Sequence, residues 1–260
     1  MNRLHLFEMG DHRWCPQSVR AIVTDYLQFG VKKWKMDAAM VSLLRQALEH
    51  TGVNQVIDLC SGSGGPWLDM LRGLESKGFP VKVCLTDKYP NAQAFTYARD
   101  VFGGRFDFCS EPIEAAHVPE GLVGFRTIFS AFHHFRSADA RAILQDAVNC
   151  QQGIAIFEIT QRTPWAMFNF FLTSLLLPFC VPFFRPFRWS RLVWTYLVPV
   201  APAVILFDSI VSCLRTYSAG ELRELAMGTG AKGYIWKAGE IKAPAAPVPI
   251  TYLLGYPGRD

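Results

Sequence analysis

The stretch that most constrains this chain runs from Val56 to Trp67 and reads Val-Ile-Asp-Leu-Cys-Ser-Gly-Ser-Gly-Gly-Pro-Trp. An apolar run from Val53 to Leu59 carries one acid, Asp58, near its end. A loop of small residues follows, and Pro66 then stands where a helix can begin. That order predicts strand, glycine-rich turn and helix. Gly62, Gly64 and Gly65 lack a Cβ, so the backbone there can take dihedrals closed to other residues and a ligand can come close. A buried strand that hands such a loop to a helix N-terminus is the nucleotide-site geometry of doubly wound sheets.

The same residues say which nucleotide. A dinucleotide fingerprint needs a third glycine three positions after Gly64, where the bulky Trp67 stands, and a phosphate-binding loop needs Gly-Lys-Ser/Thr, which is absent. Asp58 at the strand end repels a diphosphate and attracts a cationic amino group. S-adenosylmethionine (SAM) suits this, having an ammonium and no phosphate. The stretch resembles motif I of the class I SAM-dependent methyltransferases, Asp/Glu-x-Gly-x-Gly-x-Gly, with Cys60 in the first glycine position. The bland alternative is an ordinary strand–turn–helix without a ligand.

Further resemblances follow along the chain. Val81 to Asp87 reads as a second strand ending in an acid. In the resembled superfamily that acid, here Asp87, accepts both ribose hydroxyls; the alternative is a capping Asp ahead of Pro90. Tyr89 either stacks on adenine or packs. Glu114-Ala115-Ala116-His117-Val118-Pro119 resembles the Asp-Ala-x-x-Leu-Pro segment, which implies Glu114 and Ala115 beside the adenine, with Glu111 as rival acid. Phe125 to Ser130 reads as the fourth strand, which places Ser130 among the cofactor contacts. Arg126 stands where the superfamily usually has an acid. After that strand comes Ala131-Phe132-His133-His134-Phe135. One of the two histidines, His134 by preference, is the candidate base for an acceptor hydroxyl, because imidazole titrates near neutrality; the alternative is a structural histidine.

The remaining pattern supports the same frame. Helical stripes are predicted from about Ser18 and over Met40 to Leu48, then Pro66–Lys77, Asn91–Val101 and Ser137–Gln151, with strands at Arg105–Cys109 and Gly153–Ile159. This alternation over residues 52–160 is that of a doubly wound α/β sheet. Ser218 and Glu221 match a capping box, and Tyr234–Ile241 with Val248–Tyr256 read as an antiparallel pair. The resemblance implies a seven-stranded, mostly parallel sheet with an antiparallel last strand. Residues 1–50 form an N-terminal helical cap, and residues 51–260 the SAM-binding domain, with an apolar lid or insertion at 161–215. Asp11, Asp25 and Tyr26 on the cap would face the substrate pocket, or else be solvated.

That insertion breaks the pattern. Pro164 to Phe184 has no charged side chain, then come Arg185, Arg188 and Arg191 with Trp189, then a second uncharged run from Leu192 to Phe207. The first run is long enough to span a bilayer, yet Pro178, Pro182, Pro199 and Pro202 interrupt both. An apolar lid is therefore preferred to a membrane hairpin. Peripheral membrane contact through 164–207, or a homodimer surface, remains open.

The net charge of +4 is small and unclustered, so no nucleic-acid partner is expected. Seven scattered cysteines, with no Cys-x-x-Cys pair and no export signal, imply reduced thiols in the cytoplasm, and no metal is expected. The function that follows is SAM-dependent methyl transfer to a small, largely apolar acceptor, with oxygen slightly favoured over nitrogen or carbon. The alternatives are a membrane-surface methyltransferase of a lipid or quinone-like substrate, and a catalytically silent SAM-binding scaffold.

Overall fold

The structure is a computed structural model that describes residues 1–12, 14–184 and 187–258. Arg185 and Pro186, part of the arginine-bearing stretch, lie outside the described residues. Seven strands form one sheet in the order β3-β2-β1-β4-β5-β7-β6. They are β1 (Gln55–Asp58), β2 (Lys82–Leu85), β3 (Phe106–Phe108), β4 (Phe125–Phe129), β5 (Ile154–Glu158), β6 (Tyr234–Ile241) and β7 (Ile250–Pro257). The first five run parallel, with Ile57 beside Cys84 and Arg126, and Ile156 beside Ile128; β7 lies antiparallel to both β5 and β6. The sequence reading of a mostly parallel sheet closed by an antiparallel strand therefore holds. Parallel strands need crossovers, and those helices cover both faces, which is why β4 and β5 are almost wholly buried and β5 is apolar up to Glu158.

Helices α2 (Met36–Thr51), α3 (Trp67–Ser76) and α4 (Ala92–Phe102) lie on one face. Met40, Leu44, Trp67, Leu71 and Phe95 pack there against Val56, Val83 and Phe157. On the other face α5 (Ser137–Asn149) and α10 (Ala219–Met227) bring Ile143, Leu144 and Leu222 onto Ile57, Ile128 and Ile156. Local signals set the ends of these helices. The Asn91 side chain accepts from the Ala94 N–H at the start of α4, and Ser218 with Glu221 forms the capping box of α10.

Helix α1 (Gln17–Lys33) and the insertion form a further layer. The insertion contains α6 (Pro164–Leu175), α7 (Leu177–Cys180), α8 (Trp189–Leu192), a π turn at Val193–Leu197 and α9 (Val200–Arg215). Ile22 and Tyr26 of α1 pack on Leu177, Val181, Ala201 and Ile205. Arg191 joins the insertion to α1 through Asp25, with Nη2 at 2.5 Å from Oδ2. No single helix among the described residues is long and apolar enough to cross a membrane. Two bent pairs reach that length and composition only when the two helices of each are counted together: Pro164–Leu175 with Leu177–Phe183 (53°), and Trp189–Leu197 with Val200–Arg215 (82°).

Candidate active site

The loop after β1 is held from below. Asp58 is buried, and its Oδ1 accepts from Thr127 Oγ1 on β4 at 2.6 Å. Its carbonyl accepts from the Thr86 amide and hydroxyl and from Ser61 Oγ, all at 2.9 Å. Burial raises the Asp58 carboxyl to about 6 against the hydrogen bonds of Thr127, Ser61 and Trp67, and the nearby Asp87 charge adds to the rise. Its side chain therefore braces the loop from the sheet side.

Above it the backbone turns through left-handed conformations at Cys60 (φ 58°), Gly62 (φ 57°), Gly64 (φ 99°) and Gly65 (φ 51°). Cys60 thus adopts, with a side chain, the conformation for which glycine is the usual residue. A Cβ added at Gly62 or Gly65 would meet nothing within 4 Å, so the space above these two residues is open. Asp87 borders that space at the end of β2. Its Oδ2 accepts from the Gly62 N–H at 2.8 Å and its Oδ1 from the Tyr89 N–H at 2.7 Å. The capping alternative for Asp87 fails, because Asn91 caps α4. Tyr89 is exposed.

On the next loop the Ile113 N–H donates to the Asp87 carbonyl, which brings residues 113–118 beside the glycine loop. Ala115 is buried, whereas Glu114 is exposed and ion-paired with Lys88 at 2.8 Å. Glu111 is exposed as well. Ser130 sits at the tip of β4 with φ 48°, and its N–H donates to the Phe157 carbonyl at 2.7 Å. Arg126 does not replace an acid at the ligand: its guanidinium is buried on the α5 side, Nη1 at 2.5 Å from Asp146 Oδ2.

The histidines lie on a short 3-10 turn, Phe132–His134, after β4. His133 is buried. Its N–H donates to Glu158 Oε1 at 3.1 Å and its Nδ1 lies 2.7 Å from Glu158 Oε2, so the acid closing β5 fixes both its backbone and its ring. Its other nitrogen, Nε2, is 3.7 Å from Glu8 Oε1. His134 is about one-third exposed, with Nδ1 2.9 Å from Asp11 Oδ1 and 3.7 Å from Glu8 Oε2. Burial pulls its pKa down, but the charges of Glu8 and Asp11 outweigh that and leave it raised. Burial would raise Asp11, yet its bonds to His134 and Arg215 hold it far below the usual carboxylate range.

Residues not singled out in the sequence complete this cluster. Arg215, at the end of α9, reaches Asp11 Oδ2 at 2.9 Å and Glu8 Oε1 at 3.2 Å, and donates to the His134 carbonyl at 3.0 Å. Arg3 donates to the carbonyls of His133 and Phe135 and stacks on Tyr217. Asp208 accepts the N–H groups of Met9 and Gly10, pinning the N-terminal segment across the strand ends. Glu158 was legible as the acid that closes the fifth strand; Arg3, Glu8, Asp208 and Arg215 carry no such signal in the sequence. Asp25 is paired with Arg191, and Tyr26 donates to Thr173 Oγ1 at 2.7 Å in an apolar cleft. That cleft, between α1 and α6, is lined by Tyr26, Trp34, Ile159, Phe170, Thr173 and Val248.

No family model matches the chain, and no curated protein matches it. Among solved structures it is similar to an O-methyltransferase family protein from Burkholderia thailandensis, at 15% identity and a TM-score of 0.51, over 88% of this chain and 58% of that one. It is similar also to the CMeT domain of the citrinin polyketide synthase, at 14% identity and a TM-score of 0.50, over 85% of this chain and 53% of that one. The chain thus spans between 53% and 58% of the length of these two proteins. Together with the strand order and the antiparallel seventh strand, these likenesses give this chain the fold of the class I SAM-dependent methyltransferases.

Proposed function

We propose that this chain is a SAM-dependent methyltransferase acting on a small, largely apolar acceptor, with oxygen favoured over nitrogen or carbon. The observation that carries the reading is the open space over Gly62 and Gly65, bordered by Asp87 and braced by the buried Asp58. When bound there, SAM supplies an activated methyl group on a sulfonium that already carries a good leaving group. The protein has to align donor and acceptor, exclude water and take up a proton.

In this reading the Gly62 and Tyr89 amides release Asp87 to the ribose hydroxyls, Glu114 and Ala115 edge the adenine, and Cys60, Gly62, Gly64 and Ser130 line the methionine end. Tyr89 covers the ring. His134 is the acceptor-side base. Asp11 beside Nδ1 would hold that nitrogen protonated and leave Nε2 to accept the acceptor's proton. His133, locked by Glu158, positions the turn. The cleft beside Tyr26 and Ile159 suits an apolar acceptor body, so residues 1–50 and 161–215 act as cap and lid. Calorimetry tests the reading: SAM and its demethylated product should bind at micromolar levels, and NAD and ATP should not. Binding of NAD with none of SAM would overturn it.

A second reading, a membrane-surface enzyme with a lipid or quinone-like acceptor, draws on one specific observation. Phe179, Phe183, Trp189 and Leu197 are 70–77% exposed, and Trp165, Phe168 and Tyr196 are exposed beside them. No acid occurs between Glu158 and Asp208. Large apolar and aromatic side chains exposed in such number within one insertion suit an interaction surface, and the lack of acids there suits anionic headgroups.

A further inference from the structure

Glu8, His133 and His134 each aim one donor atom at the same small volume, with the three atoms within 4.8 Å of one another. Glu8 and His133 are buried. His133 Nε2 has no hydrogen-bond partner, and His134 Nδ1 is paired with Asp11 Oδ1 at 2.9 Å. We propose that these three side chains form a binding site for a divalent first-row transition ion, with zinc the default occupant.

The spacing between Glu8 and the two rings is longer than that of a direct pair. A charge-assisted N–H to carboxylate bond closes to about 2.7–2.9 Å, yet Glu8 Oε1 stands 3.7 Å from His133 Nε2 and Glu8 Oε2 stands 3.7 Å from His134 Nδ1. Two donors on one tetrahedral ion, with bonds of about 2.0–2.2 Å, sit about 3.3–3.6 Å apart. The three donor atoms lie within 4.8 Å of one another, so ligation requires them to draw together and His134 Nδ1 to leave Asp11. Glu158 supplies the outer shell: its carboxylate on His133 Nδ1 at 2.7 Å turns Nε2 toward Glu8, as the partner of a metal-bound imidazole does. Two imidazoles and one carboxylate suit zinc or ferrous iron and suit magnesium poorly.

Charge is consistent with this assignment. Glu8, Asp11 and Glu158 face the site against Arg215, whose Nη1 lies 3.2 Å from Glu8; His5 and Arg3 hydrogen-bond carbonyl oxygens of the histidine turn and its neighbours, and Arg3 stacks on Tyr217. Three carboxylates and one guanidinium leave two negative charges, which one divalent ion with neutral imidazoles balances. Three protein ligands leave a fourth position open. The sequence shows no metal-ligand spacing because Glu8 comes from the N-terminal segment, far along the chain from the histidines. An ion on His134 Nδ1 leaves Nε2 protonated, so a loaded site and a base at His134 exclude one another. The site itself does not depend on methyl transfer.

The test uses the tag-free full chain, stripped with chelator and titrated with zinc chloride and, separately, magnesium chloride. One zinc per chain is expected by calorimetry and elemental analysis, with magnesium far weaker. Glu8→Gln and His133→Asn should abolish that stoichiometric binding, and Glu158→Gln should weaken it by about 10–100-fold. His12→Ala and His117→Ala, at exposed positions, should bind as the parent does. Cobalt(II) should give visible bands of low coordination number in the parent, and zinc should slow proteolysis within residues 1–12. No zinc uptake, or equal uptake by Glu8→Gln and His133→Asn, overturns the proposal. Should those variants not fold, the parent's cobalt spectrum decides, and its absence overturns the site.

Discussion

Replacing Cys60 tests the register of the glycine loop at the one point where it departs from the family pattern. Cys60 has φ 58°, and a left-handed backbone costs a residue with a Cβ about 1–2 kcal/mol. Glycine removes that strain but loses about 0.5–1 kcal/mol through the freer unfolded chain. The Cys60 side chain also packs beside the cluster of Ile57, Leu59 and Cys84, so its loss must be separated from the backbone effect. Cys60→Ala keeps the Cβ and loses the sulfur; Cys60→Gly loses both. The difference between the two variants isolates the backbone, and Cys60→Gly should exceed Cys60→Ala by about 0.5–1 kcal/mol. At this chain length that is about 1–4 °C in melting temperature. Urea unfolding followed by tryptophan fluorescence, with scanning calorimetry alongside, reads it directly. The mirror control is Gly62→Ala, where φ is 57° and a Cβ would meet nothing within 4 Å: strain alone should cost about 1–2 kcal/mol. If Cys60→Ala proves as stable as Cys60→Gly, Cys60 is not left-handed and the register argument fails.

Other outcomes follow from the same geometry. The Asp58 carboxyl is raised to about 6, so the folded state holds its proton more tightly than the unfolded chain. Its contribution is therefore fully present below about pH 4 and is lost as pH rises toward 6. Stability of Asp58→Asn measured against the parent should shift in the variant's favour between pH 4 and 6 and level off above 7; a pH-independent difference would refute the buried assignment. Asp87→Ala leaves the ribose hydroxyls without their acceptor and should weaken SAM binding by about 1–3 kcal/mol, and unchanged affinity by calorimetry would remove Asp87 from the site. Vesicles with anionic lipid should sediment the parent more strongly than a Phe179→Ser, Phe183→Ser, Trp189→Ser variant. Equal partitioning would leave the exposed face without a bilayer role.

The alternation of β1 to β5 with α3 to α5 was legible because buried parallel strands must be almost wholly apolar and their crossover helices amphipathic. The glycine loop was legible because left-handed turns restrict residue choice, and Cys60 shows that the restriction is a cost and not a prohibition. Asp87 was legible as the acid that closes β2. These are local facts, written within a few residues of where they act.

What the tertiary structure alone decided are encounters between distant residues. Asp58, read as facing a ligand, turns inward because Thr127 on the neighbouring strand offers a hydroxyl at 2.6 Å. Arg126 is reconciled with a central strand only by Asp146 on α5. The two uncharged runs, Pro164 to Phe184 and Leu192 to Phe207, favoured a lid over a membrane hairpin through their prolines, but hydropathy does not say which faces find a partner. Packing on α1 settled that Leu177 and Val181 are covered while Phe179 and Phe183 are not. The His133–Glu158–Glu8 contacts join the fourth strand's turn, the fifth strand's end and the N-terminal segment. No periodicity encodes them. A strand's side-chain pattern records which face is buried, but the order of strands in the sheet and the path of a terminal segment decide which charges meet at its edge.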